Sequence, residues 1–205
     1  MAKRLFDLVG AALALLVLTP LLIALALLIK IDSPGPALYR QQRVGRHGRP
    51  FRIHKLRTMV HGAGGAPLTV GDDTRVTRAG RWLRRTRLDE LPQLIDVLLG
   101  DMSLVGPRPD VPRYLDQMPP ALRERVLRVR PGLTDPVALA HLDESALLAR
   151  AADPEREYVQ RILPAKLQAA ADYAEHATLG SDIAVLARTL RRLAGGLRPR
   201  GERLT

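Results

Sequence analysis

The chain has 205 residues, enough for one domain with a real core and an appendage. Thirty-two Lys and Arg against 21 Asp and Glu leave a net charge of +11, so the partners to expect are anionic: nucleic acid, acidic lipid or phosphorylated substrates. The absence of cysteine excludes disulfides, thiol nucleophiles and cysteine zinc sites, and aromatics at 3% speak against the stacking platforms of single-stranded nucleic-acid binders.

Leu8 to Ile29 is a run of 22 residues without a charge. As a straight helix it would measure roughly 33 Å, enough for a hydrocarbon core of ~30 Å. Pro20, preceded by Thr19, sits near its middle. Proline removes a helical hydrogen bond, and Thr19 is placed to bond the carbonyl so freed. Lys3 and Arg4 precede the run, while Lys30 and then seven Arg/Lys with no Asp/Glu between Ser33 and Gly71 follow it. Positive charge favours the cytoplasmic side, and here it flanks both ends. The expectation is therefore a re-entrant helix–break–helix over residues 1–32, with the break at Thr19-Pro20. A kinked spanning helix is the alternative.

Ser33-Pro34-Gly35-Pro36 reads as a turn. Ala37–Val44 and Pro50–Leu56 flank Gly45-Arg46-His47-Gly48 and predict a basic β-hairpin. Gly62–Pro67 reads as a flexible linker or lid. His47, His54 and His61 recur every seven residues but lack metal-ligand spacing, and read as ordinary polar positions. Helices are expected over Arg78–Leu88 and Pro92–Leu99, the second with Leu91, Leu94, Ile95, Leu98 and Leu99 on one face. Met102–Pro109 reads as a short strand or loop. Ala121–Arg130, a helix through the 160s opened by Asp153-Pro154, and Ile183–Leu197 complete the domain. The last carries Ile183, Leu186, Leu190 and Leu193 as an apolar stripe flanked by arginines, which suits either a headgroup-level helix or a core-facing one. The cytoplasmic domain is placed at residues 33–197 and a disordered tail at 198–205.

The chemistry concentrates in residues 82–109. Asp89 and Glu90 are adjacent carboxylates, preceded by Arg81, Arg84, Arg85 and Arg87 and followed by Pro107-Arg108-Pro109. A carboxylate among arginines stays ionised and can attack phosphorus or hold a divalent cation, while the guanidiniums hold phosphate oxygens. Asp89–Glu90 alone also reads as a helix N-terminal cap. Asp72-Asp73 reads as a turn or cap, or as a metal ligand pair.

The order of these landmarks resembles the bacterial sugar transferases, the monotopic polyprenol-phosphate phosphoglycosyl transferases, in their small catalytic-core form. The resemblance rests on Lys3–Asp7, Thr19-Pro20, Arg43-Val44-Gly45, Gly48–Phe51, Lys55–Met59, Thr77–Gly80, Leu88–Leu94, Gly100–Pro109 and Arg130–Thr134. It covers residues 1–135, in order. It implies a helix-rich α/β membrane-associated fold with a re-entrant hairpin, a small mixed core and interfacial amphipathic helices. It implies that Asp89 attacks the β-phosphate of a UDP-sugar, releases UMP, and passes the sugar phosphate to polyprenol phosphate. Mg²⁺ would be the cofactor, near Asp89 and Glu90. Lys55, Arg84 and Arg108 match phosphate-contacting positions, and Pro107-Arg108-Pro109 matches the nucleotide segment. The setting implied is the cytoplasmic face of a bacterial inner membrane, with its lipids as partners, no nucleic acid, and homodimerisation left open. After Thr134 the chain departs from the commoner family pattern, reading Asp135-Pro136-Val137-Ala138-Leu139-Ala140-His141. A non-catalytic basic scaffold for membrane lipids is the rival reading.

Overall fold

The computed structural model describes residues 1–64, 73–115, 117–136, 148 and 151–194. It is a helix-rich α/β fold with two small sheets.

The uncharged run extends into one helix, α1, Ala2–Asp32. Alanine and leucine, which dominate it, are strong helix formers. Pro20 lies inside α1 and does not divide it into two helices, contrary to the expected break. Proline sacrifices one N–H bond, which a long apolar helix tolerates. Thr19 does not serve the carbonyl that Pro20 frees, which is that of Leu16. Its hydroxyl donates to Leu15 O at 2.6 Å, the ordinary threonine bond to the carbonyl four residues back. Among the described residues α1 is the one helix long and apolar enough to cross a membrane, and it could anchor the protein to one.

One stripe of α1 packs on the rest of the protein. Ala11, Leu25 and Ile29 are buried, and Phe6, Ala14, Leu15 and Leu18 lean on the core. The opposite face leaves Leu13, Leu16, Val17, Ile23, Leu27 and Ile31 more than half exposed. Both ends of α1 are tied to that same body. Arg4 donates to the Val97 and Leu98 carbonyls at 2.7 and 3.1 Å. Asp7, buried, accepts from the Ser103 hydroxyl and the Leu104 N–H, each at 3.0 Å. Lys3 pairs with buried Asp182, which also accepts from the Tyr173 hydroxyl at 2.6 Å. At the other end Asp32 accepts from the Ala79 N–H at 3.1 Å, and Arg57 donates to the carbonyls of Ser33 and Pro34.

β1 (Leu38–Val44) and β2 (Pro50–Leu56) form the expected antiparallel hairpin, from Leu38 opposite Leu56 to Val44 opposite Pro50. Phe51 and Ile53 alternate into the core, the period-two signature of a half-buried strand. α2 (Arg78–Thr86) follows, capped by the Thr77 side chain. A 3₁₀ turn, Leu88–Gln93, then leads into α3 (Leu94–Leu99). The stripe expected on this segment is corrected. Leu94 and Val97 enter the core and Leu99 is exposed, while Asp96 is fully buried. A tight turn ahead of α3 rotates the helix relative to a continuous one.

β3 (Ser103–Val105) pairs in parallel with a strand that the sequence reading missed, β4 (Gly132–Thr134). Two short helices lie between them, α4 (Pro112–Leu115) and α5 (Pro120–Val126). α6 (Pro154–Glu157), capped by Asp153, runs through a π-type turn into α7 (Leu163–His176). The last helix among the described residues is α8 (Leu179–Ala194).

The main core joins α1, β2, α3 and β3 through Ala11, Phe51, Ile53, Val97, Met102 and Val105. A second cluster gathers Tyr114, Met118, Tyr158, Ile162, Leu163 and Leu167. On α8 the expected stripe divides, with Leu186 leaning on the core. Ile183 and Leu190 are about half exposed or more, and Val185 is the residue buried in the core. Asp182, held by Lys3 and Tyr173, sets the rotation of α8. On α5, Arg125 is taken by Glu175 at 2.6 and 2.9 Å and so is not left open for an anionic surface. Half of the expected lid, and the whole of the divergent segment from 137 to 141 and of the tail, lie outside the described residues.

Candidate active site

Four elements converge on Asp89 and Glu90. The end of β2 brings Lys55. α2 brings Arg84. The 3₁₀ turn carries the two carboxylates, and the loop after β3 brings Arg108. Arg87 makes the bend between α2 and the turn, at φ 59°, a left-handed conformation that costs a non-glycine residue strain. That bend sends Asp89 and Glu90 inward, to 1% and 7% exposure.

Two close backbone approaches set the distances. A Cβ at Gly80 would stand 2.0 Å from the Thr58 carbonyl oxygen, so only glycine lets α2 lie on the segment after β2. Arg84 Nε then donates to Thr58 Oγ1 at 3.0 Å. Gly106 and Gly132 cross equally tightly, and a Cβ at Gly132 would meet Gly106 N at 2.0 Å. The Gly132 N–H donates to the Pro107 carbonyl at 2.9 Å, which fixes the start of Pro107-Arg108-Pro109. Arg43 donates to the Pro109 carbonyl at 3.1 Å and fixes its end.

The two carboxylates have different surroundings. Glu90 is fully engaged. Its Oε1 accepts from Arg108 at 2.6 Å and from Lys55 at 3.4 Å, its Oε2 faces Arg108 at 3.3 Å, and Arg87 lies at 4.0 Å. Burial pushes the Glu90 carboxyl up, but the charges of Arg108, Lys55 and Arg87 outweigh burial and hold it well below the usual carboxylate range. Glu90 in turn raises the Arg108 guanidinium. Asp89 has one salt bridge, Oδ2 to Lys55 Nζ at 2.9 Å. Its Oδ1 is buried and accepts no hydrogen bond. A buried carboxylate oxygen without a donor is costly, which marks it as poised for something not in the protein itself. Neither the 3₁₀ turn nor α3 has a side-chain cap, so the capping reading of this pair is not borne out.

The cluster is electropositive around that oxygen. Burial lowers Arg84 while the Asp89 charge raises it, so the two groups feel each other. Burial and neighbouring Arg108 lower Arg43. The Arg108 side chain remains 37% exposed, so it is not sealed off from solvent. Pro107, Arg108 and Pro109 also line a recess with Val44, Met118 and Leu127.

Lys55, Arg84, Asp89, Glu90 and Arg108, separated by up to 53 positions in sequence, are thus brought together. Thr19 and Pro20 belong to α1 and form no hydrogen bond with this cluster. Asp73 pairs with Arg75 at 2.5 Å, and its carboxyl falls to about 2 through that hydrogen bond; Asp72 is outside the described residues. Sequence reasoning missed Arg43 and the pair His54–Asp96. Asp96 accepts from the His54 N–H at 2.8 Å and stands 2.6 Å from its ring Nδ1. A carboxylate among the apolar positions of a helix was the available signal.

The Glu90 geometry predicts a pH signature. A carboxyl depressed in the folded state adds stability that is complete above its unfolded value, about 4.3, and is lost as pH falls through its folded value. The denaturation midpoints of wild type and Glu90→Gln should differ by a constant amount from about pH 8 to 5 and converge only in stronger acid.

The family model for bacterial sugar transferases matches residues 1–196. The chain belongs to that family. Among curated relatives, this bacterial sugar transferase is 53% identical over 137 residues to a UDP-glucose:undecaprenyl-phosphate glucose-1-phosphate transferase of Caulobacter vibrioides, covering 64% of this chain and 51% of the relative. It is 43% identical over 143 residues to a UDP-N-acetylgalactosamine-undecaprenyl-phosphate N-acetylgalactosaminephosphotransferase of Aeromonas hydrophila, covering 68% and 34%. It is 44% identical over 136 residues to a UDP-glucose:undecaprenyl-phosphate glucose-1-phosphate transferase of Escherichia coli, covering 64% and 29%. The sugar transferase described here therefore spans about half the length of these relatives or less.

Proposed function

We propose that this sugar transferase moves a sugar 1-phosphate from a UDP-sugar to a polyprenol phosphate such as undecaprenyl phosphate, the opening step of a bacterial surface glycan. The observation that carries this reading is the unpartnered, buried Oδ1 of Asp89, set among Lys55, Arg84 and Arg108. Asp89 Oδ1 attacks the β-phosphorus of the UDP-sugar. The bond from that phosphorus to the bridging oxygen breaks, UMP leaves with the electron pair, and an aspartyl phospho-sugar remains. A phosphate oxygen of the polyprenol phosphate then attacks the same phosphorus and regenerates the carboxylate. Two displacements through one covalent intermediate predict ping-pong kinetics.

The residues divide the work. Lys55 holds Asp89 Oδ2 and so aims Oδ1. Glu90, with both oxygens engaged, positions Arg108 and Lys55. Arg108 and the guanidinium of Arg84 receive phosphate oxygens. Pro107 and Pro109 present the segment for the nucleotide.

The donor set fits Mg²⁺. That cation commonly uses one or two carboxylates and completes its shell with substrate phosphates and water. Among the described residues no group of three metal-ligating side chains exists, and Asp89 and Glu90 are the carboxylates that would hold the cation, together with substrate phosphates. When bound, Mg²⁺ would neutralise charge on the diphosphate.

The membrane reading is supported by the tethering of α1. Held at Arg4 and Asp7 and again at Asp32 by one folded body, α1 suits an anchor whose two ends share one side of the membrane, as an unbroken helix and without the helix–break–helix of the sequence expectation. That side is the cytoplasmic one by the charge of its flanks. In a chain without native cysteine, labels at Ala2→Cys and Pro36→Cys should react from the same side of inverted vesicles; labels on opposite sides would overturn the re-entrant path.

The test of function is UMP release by purified protein with Mg²⁺, polyprenol phosphate and a panel of UDP-sugars. Release with one sugar, dependent on Asp89, supports the reading. Binding to lipid without release by any donor would favour the scaffold reading, which leaves the buried, unpaired Asp89 oxygen without a purpose.

A further inference from the structure

α2 has two faces of different character. Inward, Ala79, Gly80 and Leu83 are buried, and Arg84 turns to the active site. Outward, Arg78, Arg81, Trp82 and Arg85 are exposed, Trp82 to 40%. Their spacing of three, four and seven residues puts them on a single stripe. α2 contains no acidic residue, and among the described residues no carboxylate pairs with Arg78, Arg81 or Arg85. Arg81 makes a bond to the Val76 carbonyl at 3.2 Å, which leaves its charge unbalanced. Like charges at this spacing repel, so the isolated helix has no reason to keep them.

The position of α2 suggests what offsets them. Leu83 packs with Leu25 and Ile29, in the last two turns of the apolar helix α1. Asp32, where α1 ends, caps the Ala79 N–H at the start of α2. α2 therefore lies beside the point where α1 passes from apolar to polar sequence, within roughly 10 Å along its axis. At that level of α1, Leu27, Leu28 and Ile31 remain exposed. A tryptophan flanked by arginines at that level is the chemistry of a headgroup-layer contact. The indole body suits the acyl boundary, its N–H the water side, and guanidiniums pair with lipid phosphates.

We propose that the Arg78–Arg81–Trp82–Arg85 stripe of α2 is a docking surface for anionic phospholipid headgroups. It rests on the reading of α1 as a membrane anchor. The stripe holds the site at headgroup depth, because α2 ends at Thr86 and the next turn carries Asp89. A lipid-borne phosphate would then present itself at the level of the nucleophile.

Trp82 is the chain's one tryptophan, so its fluorescence reports on this stripe alone. The full-length protein would be placed in nanodiscs of phosphatidylcholine, with and without phosphatidylglycerol. Lipids brominated near the headgroup would serve as shallow quenchers and acrylamide as the aqueous one. The expected result is quenching by bromolipid and shielding from acrylamide, both stronger in the anionic discs. Arg78→Gln, Arg81→Gln and Arg85→Gln should each reduce the anionic preference, by roughly fivefold per arginine removed. None of the three belongs to the catalytic cluster, so UMP release with detergent-solubilised acceptor should persist in these variants. Trp82 open to acrylamide and untouched by bromolipid would overturn the proposal. So would contact identical in neutral and anionic discs. Failure of the protein to enter either disc would overturn this and the membrane reading of α1 together, whereas entry with an indifferent Trp82 overturns this alone.

Discussion

An Asp89→Asn protein should release no detectable UMP, a loss of at least ~10⁴-fold, while keeping the thermal midpoint of the wild type within a few degrees. The first expectation follows from chemistry. An amide oxygen is not a nucleophile toward phosphorus, so no covalent phospho-sugar forms. The second follows from the contacts. Asparagine keeps an oxygen for the Lys55 ammonium at 2.9 Å, and Lys55 keeps its second partner, Glu90, at 3.4 Å. Replacing the unpartnered Oδ1 by a neutral group removes no hydrogen bond. UMP release measured beside circular dichroism melting separates the two effects. Residual turnover near wild type would sink the nucleophile assignment, and a large drop in midpoint would mean that Asp89 is a structural charge. Glu90→Gln should behave differently. It leaves the nucleophile in place but weakens the grip on Arg108 and Lys55, so both turnover and stability should fall.

Gly132→Ala should be among the most damaging substitutions outside the carboxylates. The added methyl would stand 2.0 Å from Gly106 N and 2.5 Å from Gly106 O, and these are backbone atoms that cannot rotate aside. β3 and β4 must separate to admit it. That breaks the Gly132 N–H bond to Pro107 O and loosens Pro107-Arg108-Pro109. The overpacking should lower stability by on the order of 3 kcal/mol. Arg108 would lose its register on Glu90, so donor KM should rise along with the loss of stability. A denaturation curve and a donor titration check both parts. A variant with wild-type stability would show that the two strands can part freely and that the crossing does not hold the site.

Much of the local structure was legible in the chain. The hairpin followed from alternating residues around Gly45–Gly48, and both strands lie where the alternation put them, to within one residue. The helical character of residues 2–32 followed from the uncharged run, but its continuity through Thr19-Pro20, where a break was expected, did not. The residues of the site were legible as types: a carboxylate pair, nearby arginines and a rigid Pro-Arg-Pro. Local rules failed where a neighbour overrode them. Asp96 is buried on α3 because the His54 backbone and ring satisfy it, and Leu99 is left outside. On α8, Asp182 turns inward to Lys3 and Tyr173 and carries Val185 into the core with it. β4 has three residues and no alternation to read, since its pairing with β3 is made by glycines that permit a crossing.

The division has a physical basis. Periodicity, turn chemistry and the cost of placing charge in lipid act over a few residues, so the sequence alone determined the apolar helix, the hairpin, the helical segments and the chemical character of the site. The difference between Asp89 and Glu90 is another matter. Adjacent and both acidic, they are nearly equivalent in sequence. Only the folded chain gives Glu90 three cationic partners and leaves one oxygen of Asp89 bare, because Lys55, Arg84 and Arg108 arrive from three other elements. The tethering of both ends of α1 is likewise tertiary. It depends on Val97, Leu104 and Ala79 backbone groups whose positions no local pattern encodes. Hydrogen-bond and charge energies fall steeply with distance, so what a carboxylate can do is decided by which groups the fold sets within about 4 Å of it.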